Sequence, residues 1–306
     1  MDHTWIAISV FAALMQAVRT AAQKTLNQRM SNLATTYVRS LFGLPIMVVY
    51  LAAVLVVERS GLPSLSTAYL GATFLGALAQ VLATMLLIYM FKLKNFAVGT
   101  MLTKVDIVMT AVLGSLLFSE RLSLLGFVAL LVVLAGVILM SLGKSGLGGF
   151  KSWQSVGAAL TDRPTVVALG CAFLFTLSYL FLREATLLAG PGSSMWRGAW
   201  TVALAVAMQT VGVGVWLWLK EPQAFQSIRP NLGIITFIGT TSAFGSIGWF
   251  TAFAMQNASY VRAVGQIEVV FTLLISALYF RESIKPLEYW GIAATVAGVV
   301  MFRIVS

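Results

Sequence analysis

The hydrophobic residues of this chain fall into long runs that are separated by short polar segments. Most runs have about 20 residues, enough for a helix to cross a hydrocarbon core of about 30 Å. No run alternates with period two, so the pattern predicts helices and not the strands of a membrane barrel. We predict ten membrane-spanning helices, at about 4–25, 36–57, 67–91, 96–118, 122–142, 164–184, 194–219, 231–254, 259–280 and 286–304.

Composition supports the same fold class, an all-α membrane protein. The chain is 59% hydrophobic and 10% charged, whereas soluble domains have about 25% charged residues. Its formal charge of +10 lies mostly in short loops beside apolar runs, which indicates membrane topology and not nucleic-acid binding. The first apolar run lacks a basic leader and a cleavage site, so we interpret it as the first span. The predicted partners are the lipid bilayer and a small-molecule substrate, and a homodimer stays open.

The two halves of the chain resemble each other. At a shift of 162 residues, Phe91–Leu125 aligns without a gap to Phe253–Leu287. The alignment predicts a first repeat at 1–142, a linker at 143–163 and a second repeat at 164–306. Each repeat has five spans, and an odd number would insert the second copy upside down. Inverted repeats of this kind are typical of secondary transporters, whose substrate site lies near the midplane between the copies.

The repeat duplicates an acid inside a membrane span. Asp106 aligns with Glu268, and one helical turn later Thr110 aligns with Thr272. Because a carboxylate in a membrane is costly, such acids usually face a bundle interior or a wet cavity. Each acid could bind a cationic group or a proton, or it could be a structural acceptor of hydrogen bonds.

Other polar residues within the spans complete the candidate site. Lys104 aligns with Gln266, so this basic group is not duplicated; it either meets the substrate or extends to the interface. Arg19 shares a helical face with Gln16, and hydroxyls and glycines cluster in the third and eighth spans. The predicted substrate-binding residues are Arg19, Gln80, Lys104, Asp106, Thr110, Tyr179, Ser246, Trp249, Gln266, Glu268 and Thr272.

Three further sets of charged residues have a simpler interpretation. Arg39 and Arg197 are duplicated near the start of the second span of each half and are interpreted as anchors or structural pairs. Arg262 lies one turn before Gln266 and forms a weaker candidate pair with it. Glu120 and Glu282 follow duplicated spans and are interpreted as structural.

No enzymatic pattern is present in the sequence. The single histidine, His3, is terminal, and the single cysteine, Cys171, excludes an intrachain disulfide. We find no catalytic cluster, metal-ligand pattern or nucleotide loop, and we expect no cofactor. Any transport is therefore expected to be driven by a gradient or by exchange.

The repeated segments resemble the EamA-type drug/metabolite transporter superfamily. The resemblance rests on the ten spans, on FSERLS and FRESIK before a helix with AGV, and on IEVVF at 267–271, where the family commonly has LEPVF. It implies a central cavity lined by spans 1, 3, 4, 6, 8 and 9, alternating access, and export of amino acids, other metabolites or toxic compounds. Because Val269 and Ile107 stand where proline is usual, the family's bend in the ninth span is not assumed.

The expected function is therefore a secondary transporter in an inner membrane, with both signs of charge in its site. Asp106 and Glu268 would handle a proton or amino group, and Lys104 and Arg19 would meet an anionic group. Amino acids or related zwitterions are the leading substrate class. A lipid or amphiphile carrier, an exporter of organic cations and a structural or sensor protein are the alternatives. The side of the membrane that holds the termini has about four basic loop residues against eleven opposite, which predicts termini outside, whereas family habit predicts them inside.

Overall fold

The protein is described here by a computed structural model, which covers residues 3–90, 103–120, 122–145, 163–279 and 285–305. These residues form helices and connections with no β-strand. The α-helices are α1 (Thr4–Leu26), α2 (Asn32–Glu58), α3 (Thr67–Met90), α4 (Asp106–Leu117), α5 (Leu124–Ser145), α6 (Arg163–Leu188), α7 (Ser194–Lys220), α8 (Leu232–Met255), α9 (Ala258–Gly265), α10 (Ile267–Tyr279) and α11 (Pro286–Val305).

The helices are long and apolar enough for a multi-pass membrane protein. Eight segments of the described chain meet the length and hydropathy expected of a membrane span, and the apolar helices Asp106–Leu117 and Leu124–Met140 are shorter. Large hydrophobic side chains lie on the outward faces, where Val49 is 69% exposed and Leu116 is 73% exposed. Such faces suit contact with lipid and not with water. The all-helical prediction is therefore confirmed, and eight of the ten predicted spans meet these criteria within the described residues.

Helices of the two repeats pack against each other. The first helix of each half lies against the third helix of the other half, as α1 does on α8 and α3 on α6. The pairs α2–α7 and α5–α11 also join one helix from each repeat. The main apolar core contains residues from both halves, such as Leu130 and Phe253. The polar residues of α1, α4, α6, α8 and α10 therefore meet between the repeats.

The α5–α11 contact depends on glycine. A Cβ on Gly136 would lie 2.6 Å from the backbone nitrogen of Thr295, and one on Gly291 would lie 2.6 Å from that of Met140. Both distances are far below van der Waals contact, so only glycine lets the two backbones approach this closely. Small residues at helix contacts are common in membranes, where packing drives association.

Serine caps begin the second helix of each repeat. The Oγ of Ser31 accepts a hydrogen bond from Ala34 N at 3.2 Å, and the Oγ of Ser193 accepts one from Trp196 N at 3.0 Å. Because of the first cap, α2 begins at Asn32, four residues before the predicted start. The division into repeats and linker stays a prediction, since 146–162 lie outside the described residues.

The ninth span consists of two helices. The α-helix α9 ends at Gly265 and α10 begins at Ile267. Between them the N–H of Gln266 donates to the carbonyl of Ala263 at 3.1 Å, three residues back and not four. The interruption is thus a tight 3₁₀-type turn that needs no proline. The sequence did not predict it.

Candidate functional site

The interruption of the ninth span has a counterpart in the fourth. Lys104 and Val105 form a turn between Thr103 and the start of α4, and Lys104 aligns with Gln266 of the second repeat. Each acid lies in the first turn of the helix that follows, Asp106 in α4 and Glu268 in α10. A carboxylate is favoured there by the helix dipole and by backbone N–H groups without helical partners. Interrupted helices at membrane depth are typical of transporter binding sites.

Asp106 is paired with an arginine of the other repeat. Its Oδ2 accepts a hydrogen bond from Nη2 of Arg262 at 3.0 Å, and both residues are 3% exposed. The Arg262 guanidinium lies 4.2 Å from the ring centre of Tyr179 and 5.6 Å from that of Trp249. Aromatic faces attract a cation. The arginine is therefore neutralised by one acid and held by two rings.

Glu268 has a different partner. Its Oε2 accepts a hydrogen bond from Nε2 of Gln16 at 2.7 Å, and Oε1 of Gln16 accepts one from Nε1 of Trp249 at 3.0 Å. Gln16 therefore links the acid of α10 to the indole of α8. No ion pair involves Glu268 in the part of the chain that the structure describes. The two duplicated acids thus differ, since one is paired with a cation and the other with a neutral amide.

The duplicated threonines differ as well. The hydroxyl of Thr110 donates to the carbonyl of Asp106 at 2.6 Å, and Thr176 of α6 donates to the same carbonyl at 3.2 Å. Both threonines are fully buried. The hydroxyl of Thr272 donates to the carbonyl of Glu268 at 2.9 Å, but Thr272 is exposed on the bundle surface. The structure brings Thr110 to the acid cluster and leaves Thr272 at its outer edge.

Arg19 and Lys104 are the two basic residues predicted for the site. The charge of Arg19 interacts with Glu268 and Tyr179, and its Nε is buried with no hydrogen-bond partner in the described chain. Lys104 is half-buried at the interruption before α4. Of the two, Arg19 is therefore the basic residue whose charge acts on Glu268.

Several polar atoms of the cluster have no hydrogen bond within the described residues. Besides Arg19 Nε, they are Asp106 Oδ1, Arg262 Nε and Gln266 Oε1. A buried polar atom without a partner costs about 1–3 kcal/mol. Four such atoms around one charged cluster need partners that the described residues do not supply, such as water, an ion or a polar ligand.

Two predicted site residues have other surroundings. The Oε1 of Gln80 accepts a hydrogen bond from Nε2 of Gln209 at 2.7 Å, which ties α3 to α7. Ser246 is half-buried on α8, next to Gly245, whose α-carbon faces Met15 of α1.

A surface groove with a volume of about 430 Å³, beside Trp216 and Lys220, contains none of the predicted residues.

Sequence reasoning gave too little weight to Gln16 and Arg262. Both are polar residues within apolar spans, which is the signal that could have placed them in the site. Thr176 was missed, because a threonine in a span is usually satisfied by its own helix. Only the packing of α6 on α4 brings its hydroxyl to Asp106.

A second buried cluster lies at the end of the bundle where α4 ends and α9 begins. Glu120 accepts hydrogen bonds from Ala258 N at 2.7 Å and from Ser259 Oγ at 2.7 Å, and Arg183 Nε lies 3.4 Å from its Oε1. Arg183 Nη2 also donates to Oδ1 of Asn257 at 2.9 Å. Glu120 therefore caps α9 from another segment and joins the two repeats at this end.

Comparisons with known proteins give a family and a similar fold. A solved structure titled only "Crystal structure of protein" is similar to it, with a TM-score of 0.71, 13% sequence identity and coverage of 99% of this chain and 98% of that chain. At that identity the likeness concerns the fold alone. Comparison with curated proteins gives no match. The sequence model of the EamA-like transporter family matches residues 3–142 and again residues 163–304. The chain therefore belongs to the EamA-like transporter family.

Proposed function

We propose that the protein is a secondary active transporter that exports a small polar metabolite, with amino acids or related zwitterions as the leading substrates. The observation that supports this most is the buried cluster between the repeats, where Asp106 and Glu268 lie in the first turns of α4 and α10 and the charge of Arg19 interacts with that of Glu268. A zwitterion has a group for each sign of charge. Glu268, which has no cationic partner in the described chain, would take the ammonium group or a proton, and Arg19 would take the carboxylate.

Transport would follow alternating access. The two five-helix repeats, inserted in opposite directions in an inner membrane, would rock around the fixed cluster and expose it to each side in turn. Proton coupling or exchange would drive the cycle. The cross-repeat packing of α1 on α8 and of α3 on α6 supports such a movement, because the site lies between the bodies that would move.

A second candidate is an exporter of organic cations. Its support is the position of Arg262, whose guanidinium lies among Tyr179, Trp249 and Asp106. Aromatic faces around a carboxylate also suit a substrate cation, which would take the place of the arginine side chain.

Solute counterflow in proteoliposomes tests the function. Purified protein would be reconstituted with single unlabelled amino acids inside, and uptake of the same labelled amino acid would be measured. Accumulation of at least one amino acid by the wild type and its loss in Glu268→Gln is the expected result. Accumulation of choline or tetraethylammonium alone would favour the cation exporter, and no accumulation of any solute would contradict transport.

A further inference from the structure

Arg39 is a buried basic residue that pairs with no acid in the described part of the chain. It lies in α2 with 7% of its surface exposed. No hydrogen bond or ion pair involves its side chain in the part of the chain that the structure describes. A buried guanidinium normally pairs with an acid or with carbonyl groups, because transfer of an unpaired charge out of water costs several kcal/mol.

The repeat provides an internal comparison for this residue. Arg197 is the counterpart of Arg39 in the second half. Its Nη2 donates to the carbonyl of Ala254 at 3.0 Å and lies 3.4 Å from the Oγ of Ser194. The same residue type at the same place in the repeat therefore anchors α7 to α8 in one half, but no such contact is formed by Arg39 in the described residues of the other half.

Helix α8 packs against both the helix that holds Arg39 and the helix that holds Arg19. Helix α2 approaches α8 where a Cβ on Gly43 would lie 3.3 Å from the carbonyl oxygen of Gly239. Helix α1 approaches α8 where a Cβ on Gly245 would lie 3.4 Å from the Cβ of Met15. Arg39 is one turn before Gly43, and Arg19 is one turn after Met15. Both arginines therefore lie within one turn of a contact with α8, and their charges repel each other.

The acids of the cluster do not balance these two cations. Asp106 already pairs with Arg262, and Glu268 is the acid whose charge acts on Arg19. The charge that acts on Arg39 is that of Arg19. Arg39 therefore has no balancing acid among these groups, and in a medium of low dielectric constant the excess positive charge of the two arginines favours an anion beside them.

We propose that Arg19 and Arg39 together form an anion-binding subsite that holds a carboxylate or phosphate group of the transported metabolite. Guanidinium groups suit both anions, since each can donate two parallel hydrogen bonds to them. The subsite deepens the proposed function and rests on it. It assigns the anionic end of the substrate to the α1–α2–α8 region and leaves Glu268 for the cationic end or a proton. The leading substrates then are metabolites with at least one anionic group, including organic acids.

Ligand-induced thermal stabilisation of the full-length protein in detergent tests the subsite. The probes are succinate, glycerol 3-phosphate, alanine, choline and phosphatidylglycerol in mixed micelles, each titrated against the wild type, Arg19→Gln, Arg39→Gln and the matched control Arg197→Gln. We expect succinate or glycerol 3-phosphate to raise Tm of the wild type and of Arg197→Gln. Loss of a charged hydrogen bond should weaken the apparent affinity of Arg39→Gln about tenfold or more.

A second readout needs no ligand. Arg39→Gln should raise Tm of the ligand-free protein, because it removes a buried charge that no described acid neutralises and also removes the repulsion of Arg19. Arg197→Gln should lower Tm, because it removes a bond to Ala254. Equal loss of anion affinity in Arg39→Gln and Arg197→Gln would overturn the subsite, as would unchanged affinity in Arg39→Gln or no anion-induced shift in the wild type. If the anion affinity and the Tm of the ligand-free variants lead to different conclusions, the anion affinity decides whether the subsite exists.

Comparison of glycerol 3-phosphate with phosphatidylglycerol distinguishes a soluble ligand from a lipid headgroup. A shift with phosphatidylglycerol and with neither succinate nor glycerol 3-phosphate would assign the arginines to a lipid headgroup and overturn the substrate subsite. Failure of the subsite and failure of the transport proposal also differ. Normal counterflow of an amino acid by Arg39→Gln would leave transport standing without the subsite. If anion binding needs Arg39 but the protein accumulates no solute, the subsite stands and the transport proposal fails.

Discussion

Arg262 of α9 and Asp106 of α4 form a buried ion pair, with 3.0 Å between Nη2 and Oδ2, across the boundary between the two repeats. Each residue neutralises the charge of the other. The pair makes the two duplicated acids unequal, because Glu268 has an amide where Asp106 has a guanidinium. The difference has consequences for stability and for transport.

Removal of one partner of this pair should be costly. Arg262→Gln or Asp106→Asn leaves an unpaired charge in the interior, which typically costs about 3–5 kcal/mol. The double variant removes both charges and should recover most of that loss. Denaturation in detergent of the wild type, both single variants and the double variant measures the coupling. Additive losses would mean that the pair contributes no mutual stabilisation.

Glu268→Gln should impair transport without unfolding the protein. The amide keeps the shape of the side chain and can still bond to Gln16, but it cannot take a proton or balance a cation. We expect transport to fall about tenfold or more, the equivalent of one charged hydrogen bond, with Tm nearly unchanged. Counterflow and thermal melting are measured in parallel, and Glu184→Gln, outside the cluster, is the matched control. Normal transport by Glu268→Gln would remove this acid from the mechanism.

Gly265→Ala should disturb the aromatic neighbours of Arg262. A Cβ at this position would lie 2.5 Å from Cη2 of Trp249, so the ring must move. Such overpacking costs about 1–3 kcal/mol. Gly212→Ala in α7 is the control, because a Cβ there would meet no atom within 4 Å and should stabilise the helix by about 0.5–1 kcal/mol. Equal stability of the two variants, measured by denaturation, would contradict the tight contact between Gly265 and Trp249.

Glu120→Ala should destabilise the end of the bundle at which α9 begins. It removes the acceptor for Ala258 N and Ser259 Oγ and leaves Arg183 without its carboxylate. Loss of a buried charged acceptor typically costs about 3–5 kcal/mol. Glu58→Ala, whose carboxylate accepts a bond from Ser193 in an exposed position, should change stability by less than about 0.5 kcal/mol. Thermal melting compares the two, and a small loss for Glu120→Ala would show that the cluster is not structural.

The sequence by itself determined the class of the protein and its division into repeated sets of spans. Helices in lipid must satisfy their own backbone hydrogen bonds, so the lengths of the apolar runs translate directly into spans. Duplication was also visible in one dimension, since Asp106 and Glu268 align without a gap. The presence of acids, basic residues and aromatic residues inside spans was enough to mark many members of the cluster.

Only the tertiary structure decided which of these residues are partners. Arg262 lies 156 residues from Asp106, and Gln16 lies 252 residues from Glu268; no local pattern relates such positions. The interruption at Gln266 was likewise not predicted, because no proline marks it and a single glycine such as Gly265 is tolerated inside a helix. These features depend on how α1, α6 and α8 pack against the opposite repeat. Arg39 and Arg197 occupy equivalent positions in the two repeats, but that packing places different residues around them. The reason is that the helices that contact them differ in sequence.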